Sequence, residues 1–94
     1  MTTLHTVSSL DYSPLPERLR EGVRRWVEDH VVPGGFLCAV ICNNLRDAIF
    51  LAADENLPRL VEIVRWFYHE APGLCWGSKA TFDRWRAAGR ERAA

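Results

Sequence analysis

Phe36-Leu37-Cys38-Ala39-Val40-Ile41-Cys42 is seven apolar residues in a row, and the reading of this stretch decides the fold. A run of that length suits either a buried strand or a short buried helix. A strand needs a partner, because its backbone N–H and C=O groups must be paired once water is excluded. The segments on both sides have helical periodicity, so a lone strand would find no ladder. The run is therefore read as a helix, and the domain as all-α.

Upstream, Pro33-Gly34-Gly35 forces a tight connection. Before it, Leu15, Leu19, Val23, Trp26, Val27 and His30 recur at spacings of three and four, which makes one apolar stripe on a helix ending near His30. Arg18, Arg20, Glu21, Arg24, Arg25, Glu28 and Asp29 fall mostly on its other side. Ser13 is the expected N-cap, with Pro14 and Pro16 in the first turn, where a missing N–H costs little. Residues 1–12 show no period. Leu4, Val7 and Leu10 either dock as an extended arm or belong to a loosely ordered terminus.

Downstream, Asn43-Asn44 marks a break, and Asn44 is suited to cap a helix over Leu45–Ala53 with Leu45, Ala48, Ile49 and Ala52 inward. Asp54-Glu55-Asn56 leads into a helix over Leu57–Ala71, whose start is fixed by Pro58. Its apolar residues cover more than half the circumference, so it is expected to be the longest and the central helix, with Leu60, Val64 and Phe67 nearly inaccessible. Trp66-Phe67-Tyr68 are consecutive, so at least one must face outward. Pro72-Gly73 ends this helix. Ser78 then caps a last one, Lys79 to about Arg90, anchored by Phe82 and Trp85. The expected architecture is a single small globular domain of four to five helices over residues 13–94, preceded by the arm.

The 94 residues suit one domain. Net charge is zero, which argues against a dedicated nucleic-acid or membrane-surface binder. The charge is uneven: residues 79–94 carry five cations (Lys79, Arg84, Arg86, Arg90, Arg92) against Asp83 and Glu91. Three cysteines, an odd number, do not suggest a secreted disulfide scaffold. No signal peptide is visible and no stretch approaches about 18 apolar residues, so a cytoplasmic protein with reduced thiols is expected.

Several constellations invite chemistry. Cys38 and Cys42 lie four apart on one proposed helix, and with His69 or Cys75 they would make a zinc site. Structural zinc sites usually pair ligands across a tight turn, and free cysteine is among the most buried residue types, so core packing is preferred. A cysteine nucleophile with His69 or His30 as base lacks any context that would lower a thiol pKa. His5, His30 and His69 read as surface or helix-end residues. Gly34-Gly35 lacks the Lys and Ser/Thr of a phosphate-binding loop. A helix-turn-helix over 45–71 would place Asp54 and Glu55 where a recognition helix meets phosphates. No catalytic residue, cofactor site or metal site is therefore expected. Four tryptophans and exposed arginines point instead to protein contact, because both residue types are enriched at interface centres. The candidate contact residues are Arg84, Arg86 and Arg90 of the last helix, Arg24 and Arg25 of the first, and Trp76 in its Gly/Pro loop. Trp76 reads more readily as a core plug.

The pattern Pro33-Gly34-Gly35-Phe36-Leu37, Ala39-Val40, Asn43, Leu45, Ala48, then Asp54, Asn56, Leu60, Ile63-Val64, Tyr68, Ala71-Pro72 and Cys75-Trp76-Gly77-Ser78 resembles a family of short uncharacterised proteins of tailed bacteriophages and prophages. The likeness covers about half the chain and departs from the pattern at Asn44 and Pro58. It implies a non-enzymatic accessory protein of the infected bacterial cytoplasm. Such a protein would act by stoichiometric binding to a host or phage protein, for example as an inhibitor of a host defence system such as an anti-CRISPR. The alternative is a small nucleic-acid-binding regulator using the basic C-terminal helix.

Overall fold

The apolar run is a helix. In the computed structural model, which describes residues 10–93 with side chains through Arg90, the elements are α1 (Glu17–Asp29), α2 (Gly35–Ile41), α3 (Leu45–Leu51), a 3-10 turn (Leu57–Arg59), α4 (Leu60–His69), a second 3-10 turn (Gly73–Cys75) and α5 (Lys79–Ala93). There is no strand among the described residues. Leu37, Ala39, Val40 and Ile41 are buried, so α2 is the internal segment that its composition demands.

Helix α1 starts later than expected. Ser13 is not its cap: the Ser13 N–H donates to Asp11 Oδ1 at 3.0 Å in an Asx turn, and the Leu15 N–H donates to the Tyr12 carbonyl at 3.1 Å. Pro16 stands at the N-cap with φ −53° and ψ 136°. A residue before proline is disfavoured in the α region, and Pro16 itself is non-helical, so the helix begins after it. Leu15 is fully buried instead. At the other end His30 takes a left-handed conformation (φ 59°), and the His30 and Val31 N–H groups donate to the Trp26 and Arg25 carbonyls. The helix therefore stops before Pro33-Gly34-Gly35. Gly34 is the N-cap of α2, and Gly35 is its first residue.

The middle helices are also shorter than the pattern suggested. Asn44 does cap α3, its side chain accepting from the Asp47 N–H at 3.2 Å. That helix ends at Leu51 because Ala52 is extended (ψ 132°) and the Ala53 carbonyl closes a local turn with the Asn56 and Leu57 N–H groups. Pro58 sits inside the 3-10 turn, so regular α-helix begins only at Leu60. Helix α4 has ten residues, α1 thirteen and α5 fifteen, so the expected longest helix is the shortest of these three. Pro72 disfavours helical geometry at Ala71, and α4 ends at His69. The fully buried residues of α4 are Ile63 and Phe67, with Trp66 nearly so, whereas Leu60 and Val64 are half-buried. Val61 and Tyr68 are exposed, which makes α4 amphipathic rather than enclosed.

Aromatic rings tie the elements together. Trp26 stacks on Phe82 (centroids 4.8 Å apart), Trp66 meets Phe67 edge-on at 5.2 Å, and Tyr12 stacks on Trp66 at 5.2 Å. Three indole N–H groups reach backbone carbonyls: Trp26 to Cys75 (2.9 Å), Trp66 to Asp11 (2.7 Å) and Trp85 to Trp26 (2.9 Å). Such pairing is what permits a tryptophan inside a small core. The segment from Leu10 to Pro16 is held across α1 and α4 by these contacts, by Tyr12 Oη donating to Glu28 (2.9 Å) and by Arg20 Nε donating to the Leu15 carbonyl (2.9 Å). Leu10 and Tyr12 thus pack against the core. Leu4, His5 and Val7 lie outside the described residues.

Candidate functional site

Helix α3 exposes most of its large apolar side chains. Among its seven residues only Ala48 is buried. Leu45 is 63% exposed, Ile49 46%, Phe50 85% and Leu51 49%. Leu45, Ile49 and Ala52 therefore do not form the expected inner face: Leu45 and Ile49 are outside and Ala52 is half-buried. The cause lies in α2, which packs against α3 and already supplies the buried layer, so only the small Ala48 is taken in. Scattered apolar residues on a surface need no explanation, but here four large ones crowd two turns of helix, with Leu45 and Ile49 on one side and Phe50 and Leu51 turned away from them at about 100° per residue.

Beside this face runs an open groove between α1 and the α2–α3 pair, with a volume of about 400 Å³. Leu51 belongs to both the face and the groove wall. A second lobe of about 480 Å³ adjoins it at Arg18 and Asn56, which line both. Arg18 is paired with Glu55 at 2.7 Å on the rim; the Glu55 carboxyl is held below its ordinary range by its own backbone N–H and then by Arg18. Asn56, expected at a cap-rich junction, is instead 6% exposed, caps nothing with its side chain, and its Oδ1 has no hydrogen-bond partner.

The residues singled out from sequence are not gathered into one site. Arg84, Arg86 and Arg90 are exposed on α5. At about 100° per residue Arg86 and Arg90 share a side and Arg84 faces elsewhere, so they do not form one basic track. Arg24 is half-buried rather than free, held by Glu21 (2.6 Å), Glu28 (3.5 Å) and Asp29 (3.8 Å), and Glu21 is lowered in pKa chiefly by its hydrogen bond with Arg24. Arg25 is exposed and pairs with Glu21 at 3.3 Å. Trp76 is half-buried, packed on the core with its ring 5.6 Å from Phe67, in keeping with a plug.

The cysteines are free thiols in packing positions. Cys75 is fully buried, and burial pushes its thiol from 9.0 up to about 12. Burial also raises Cys38 and Cys42, and the Cys38 thiol donates to the Pro33 carbonyl at 3.3 Å. Protonated thiols are poor nucleophiles and poor metal ligands. Among the described residues no group of three His, Cys, Asp or Glu is placed to hold a metal ion. His30 caps α1, its ring stacked on Trp85 (4.3 Å) and its Nδ1 2.6 Å from the Trp85 carbonyl, and His69 is the last residue of α4. No helix of the described residues is long and apolar enough to cross a membrane.

The α3 face had a signal in the sequence. Ile49-Phe50-Leu51 are consecutive, and three adjacent residues of a helix cannot all point inward, the same argument that puts at least one of Trp66, Phe67 and Tyr68 outside, which proves to be Tyr68. The groove had none, because it depends on how α1 meets Gly34-Gly35.

Two turns distant in sequence meet in space: the Gly77 N–H donates to the Ile41 carbonyl at 2.7 Å, so the Trp76-Gly77-Ser78 turn closes the C-terminus of the helix that Gly34-Gly35-Phe36-Leu37 begins. Gly77 has φ 117°, a conformation that side chains resist. In comparisons with known proteins, no family model, no curated protein and no solved structure matches the chain.

Proposed function

We propose that this protein is a non-enzymatic binding module that docks on another protein through α3, with Phe50 as its central anchor. The observation that carries this is the exposure of Leu45, Ile49, Phe50 and Leu51 on one short helix. Burying them against a partner would recover the hydrophobic free energy that folding leaves unused, up to about 1.5–3 kcal/mol for each side chain fully covered. The setting proposed is the cytoplasm of an infected bacterium. There it would act as a phage accessory protein that binds a host or phage protein stoichiometrically, in the manner of an inhibitor of host defence such as an anti-CRISPR. That setting rests on the resemblance of the Gly34–Leu37 and Ala71–Ser78 motifs.

The test is affinity capture from bacterial lysate with wild type, Phe50→Ser and the triple variant Arg84→Ala/Arg86→Ala/Arg90→Ala. Capture of a stoichiometric protein by wild type and by the arginine variant, and its loss with Phe50→Ser, is the expected result. Loss with the arginine variant alone would move the interface to α5. Salt-sensitive retention on DNA with no captured protein would favour a nucleic-acid-binding regulator.

A further inference from the structure

Phe50 is the most exposed large apolar side chain of α3, and it stands beside two opposite charges. Arg46 lies four residues before it and Asp47 three, spacings that put both on the Phe50 side of the helix. Together the three line a shallow hollow of about 320 Å³. The Arg46 side chain is 90% exposed, with its Nε 3.5 Å from Asp47 Oδ1. Asp47 is fixed in place: its Oδ2 accepts from Asn44 Nδ2 at 2.8 Å, and its N–H donates to Asn44 Oδ1 at 3.2 Å. A held anion, a cation in solvent and an aromatic ring thus share one patch.

Such a patch is complementary to itself. In a two-fold dimer the same surface of each copy meets the other, so it must offer what it takes. A two-fold axis crossing the outer side of α3 sets the two helices antiparallel. Arg46 of each copy then lies opposite Phe50 of the other. There a guanidinium can stack on the ring and also reach Asp47, one turn away on the same side. Each ring enters the hollow of the other copy. The chain carries no net charge, so no overall field opposes the approach of a second copy. Helix α3 has seven residues and is about 10 Å long. Contact through it falls short of the roughly 800 Å² per partner of a standard interface. The pair is therefore weak and reversible, and a tighter partner can replace it.

We infer that in the free protein the outer side of α3 is covered by a second copy of this chain, paired antiparallel through Arg46, Asp47 and Phe50. The inference rests on the binding reading for Phe50 as an anchor, and it names what occupies that anchor before a partner does.

Sedimentation equilibrium of the purified chain, from micromolar to millimolar concentration, should show a reversible monomer–dimer equilibrium. Phe50→Ser should stay monomeric. Arg46→Asp leaves two anions beside the ring and Asp47→Arg two cations, so each alone should self-associate at least about tenfold more weakly. Mixed one to one, these two variants should form a dimer that neither forms alone. Asp47→Arg also removes a contact of the α3 cap. Asp47→Asn keeps an acceptor for Asn44 and drops the anion, and it should weaken the pair as well. A wild type that is monomeric at millimolar concentration overturns the proposal and leaves the face to another protein. Self-association unchanged by Phe50→Ser or Arg46→Asp overturns it too. So does a mixture no heavier than its components when Asp47→Arg melts like wild type, or, when it melts early, undiminished association of Asp47→Asn. The measurement uses no other protein, so it is separate from capture: a dimer that captures nothing upholds the pairing, and a captured protein with no dimer upholds the docking alone.

Discussion

The indole N–H of Trp85 donates to the backbone carbonyl of Trp26 at 2.9 Å, and the same carbonyl accepts the His30 N–H at 3.1 Å. The last turn of α1 is thus capped by its own chain and by α5 together. Trp26 in turn sends its indole N–H to the Cys75 carbonyl and its ring onto Phe82, so one fully buried residue joins α1, the loop after α4, and α5.

Truncating that joint should be severe. Trp26→Ala is expected to cost about 3–5 kcal/mol, much of the roughly 5–9 kcal/mol that a domain of this size has in all. Trp26→Phe keeps most of the ring but orphans the Cys75 carbonyl, and should cost about 1–3 kcal/mol. Urea denaturation at constant m-value measures both. A Trp26→Phe variant as stable as wild type would remove the hydrogen bond from the account.

Gly89 lies inside α5, where glycine is usually about 1 kcal/mol worse than alanine. Here it is required: a Cβ at this position would collide with the His30 Cβ. Gly89→Ala should therefore destabilise, by about 1–3 kcal/mol, against its helix propensity. His30→Gly suits the left-handed cap and removes the obstructing atoms, so Gly89→Ala should cost far less in that background. A double-mutant cycle by thermal melts tests the coupling, and simple additivity would refute the contact.

Phe67 is fully buried and touches both Trp66 and Trp76, whereas Trp76 is half-buried. Phe67→Ala should cost about 3–5 kcal/mol and Trp76→Ala about 2 kcal/mol, in proportion to the area each hides. An unchanged melting midpoint for Trp76→Ala would instead return that ring to the list of partner contacts.

Cys75 should be silent to thiol reagents at neutral pH in the native protein and react only after unfolding. Its folded pKa is raised to about 12 by burial, above an unfolded value of 9.0. The protonated thiol therefore stabilises the fold fully below about pH 9, and that stability is lost as pH rises from there towards 12. Cys75→Ala should flatten this alkaline decline in a series of melts. A rate of labelling equal to that of free cysteine at pH 7 would contradict the burial.

Much of the architecture was legible in the chain because it depends on local rules. The apolar run at 36–42, the Asn44 and Ser78 caps, and the Phe82 and Trp85 anchors follow from period, capping chemistry and the need to pair buried backbone. Ser78 Oγ accepts the Thr81 N–H at 3.1 Å, as a cap should. Helix ends were less legible wherever proline acted through its neighbour. Pro16 and Pro72 displaced the ends of α1 and α4 because each restricts the residue before it, an effect that a periodic stripe does not display. The partner-contact residues, taken from composition, could not be assigned to faces, and Arg24 proved to be tied to three carboxylates.

The sequence by itself determined that this chain is helical and which of its segments form helices, since these are set by residues within a few positions of one another. Only the tertiary structure decided which apolar residues remain outside. Ala48 faces inward because α2 leaves room for no more, so Leu45, Ile49 and Phe50 face out; Asn56 is enclosed between α1 and the end of α3 without a donor. Burial is fixed by how much surface the neighbouring elements can cover, and that is a property of the packed assembly of helices rather than of any one segment.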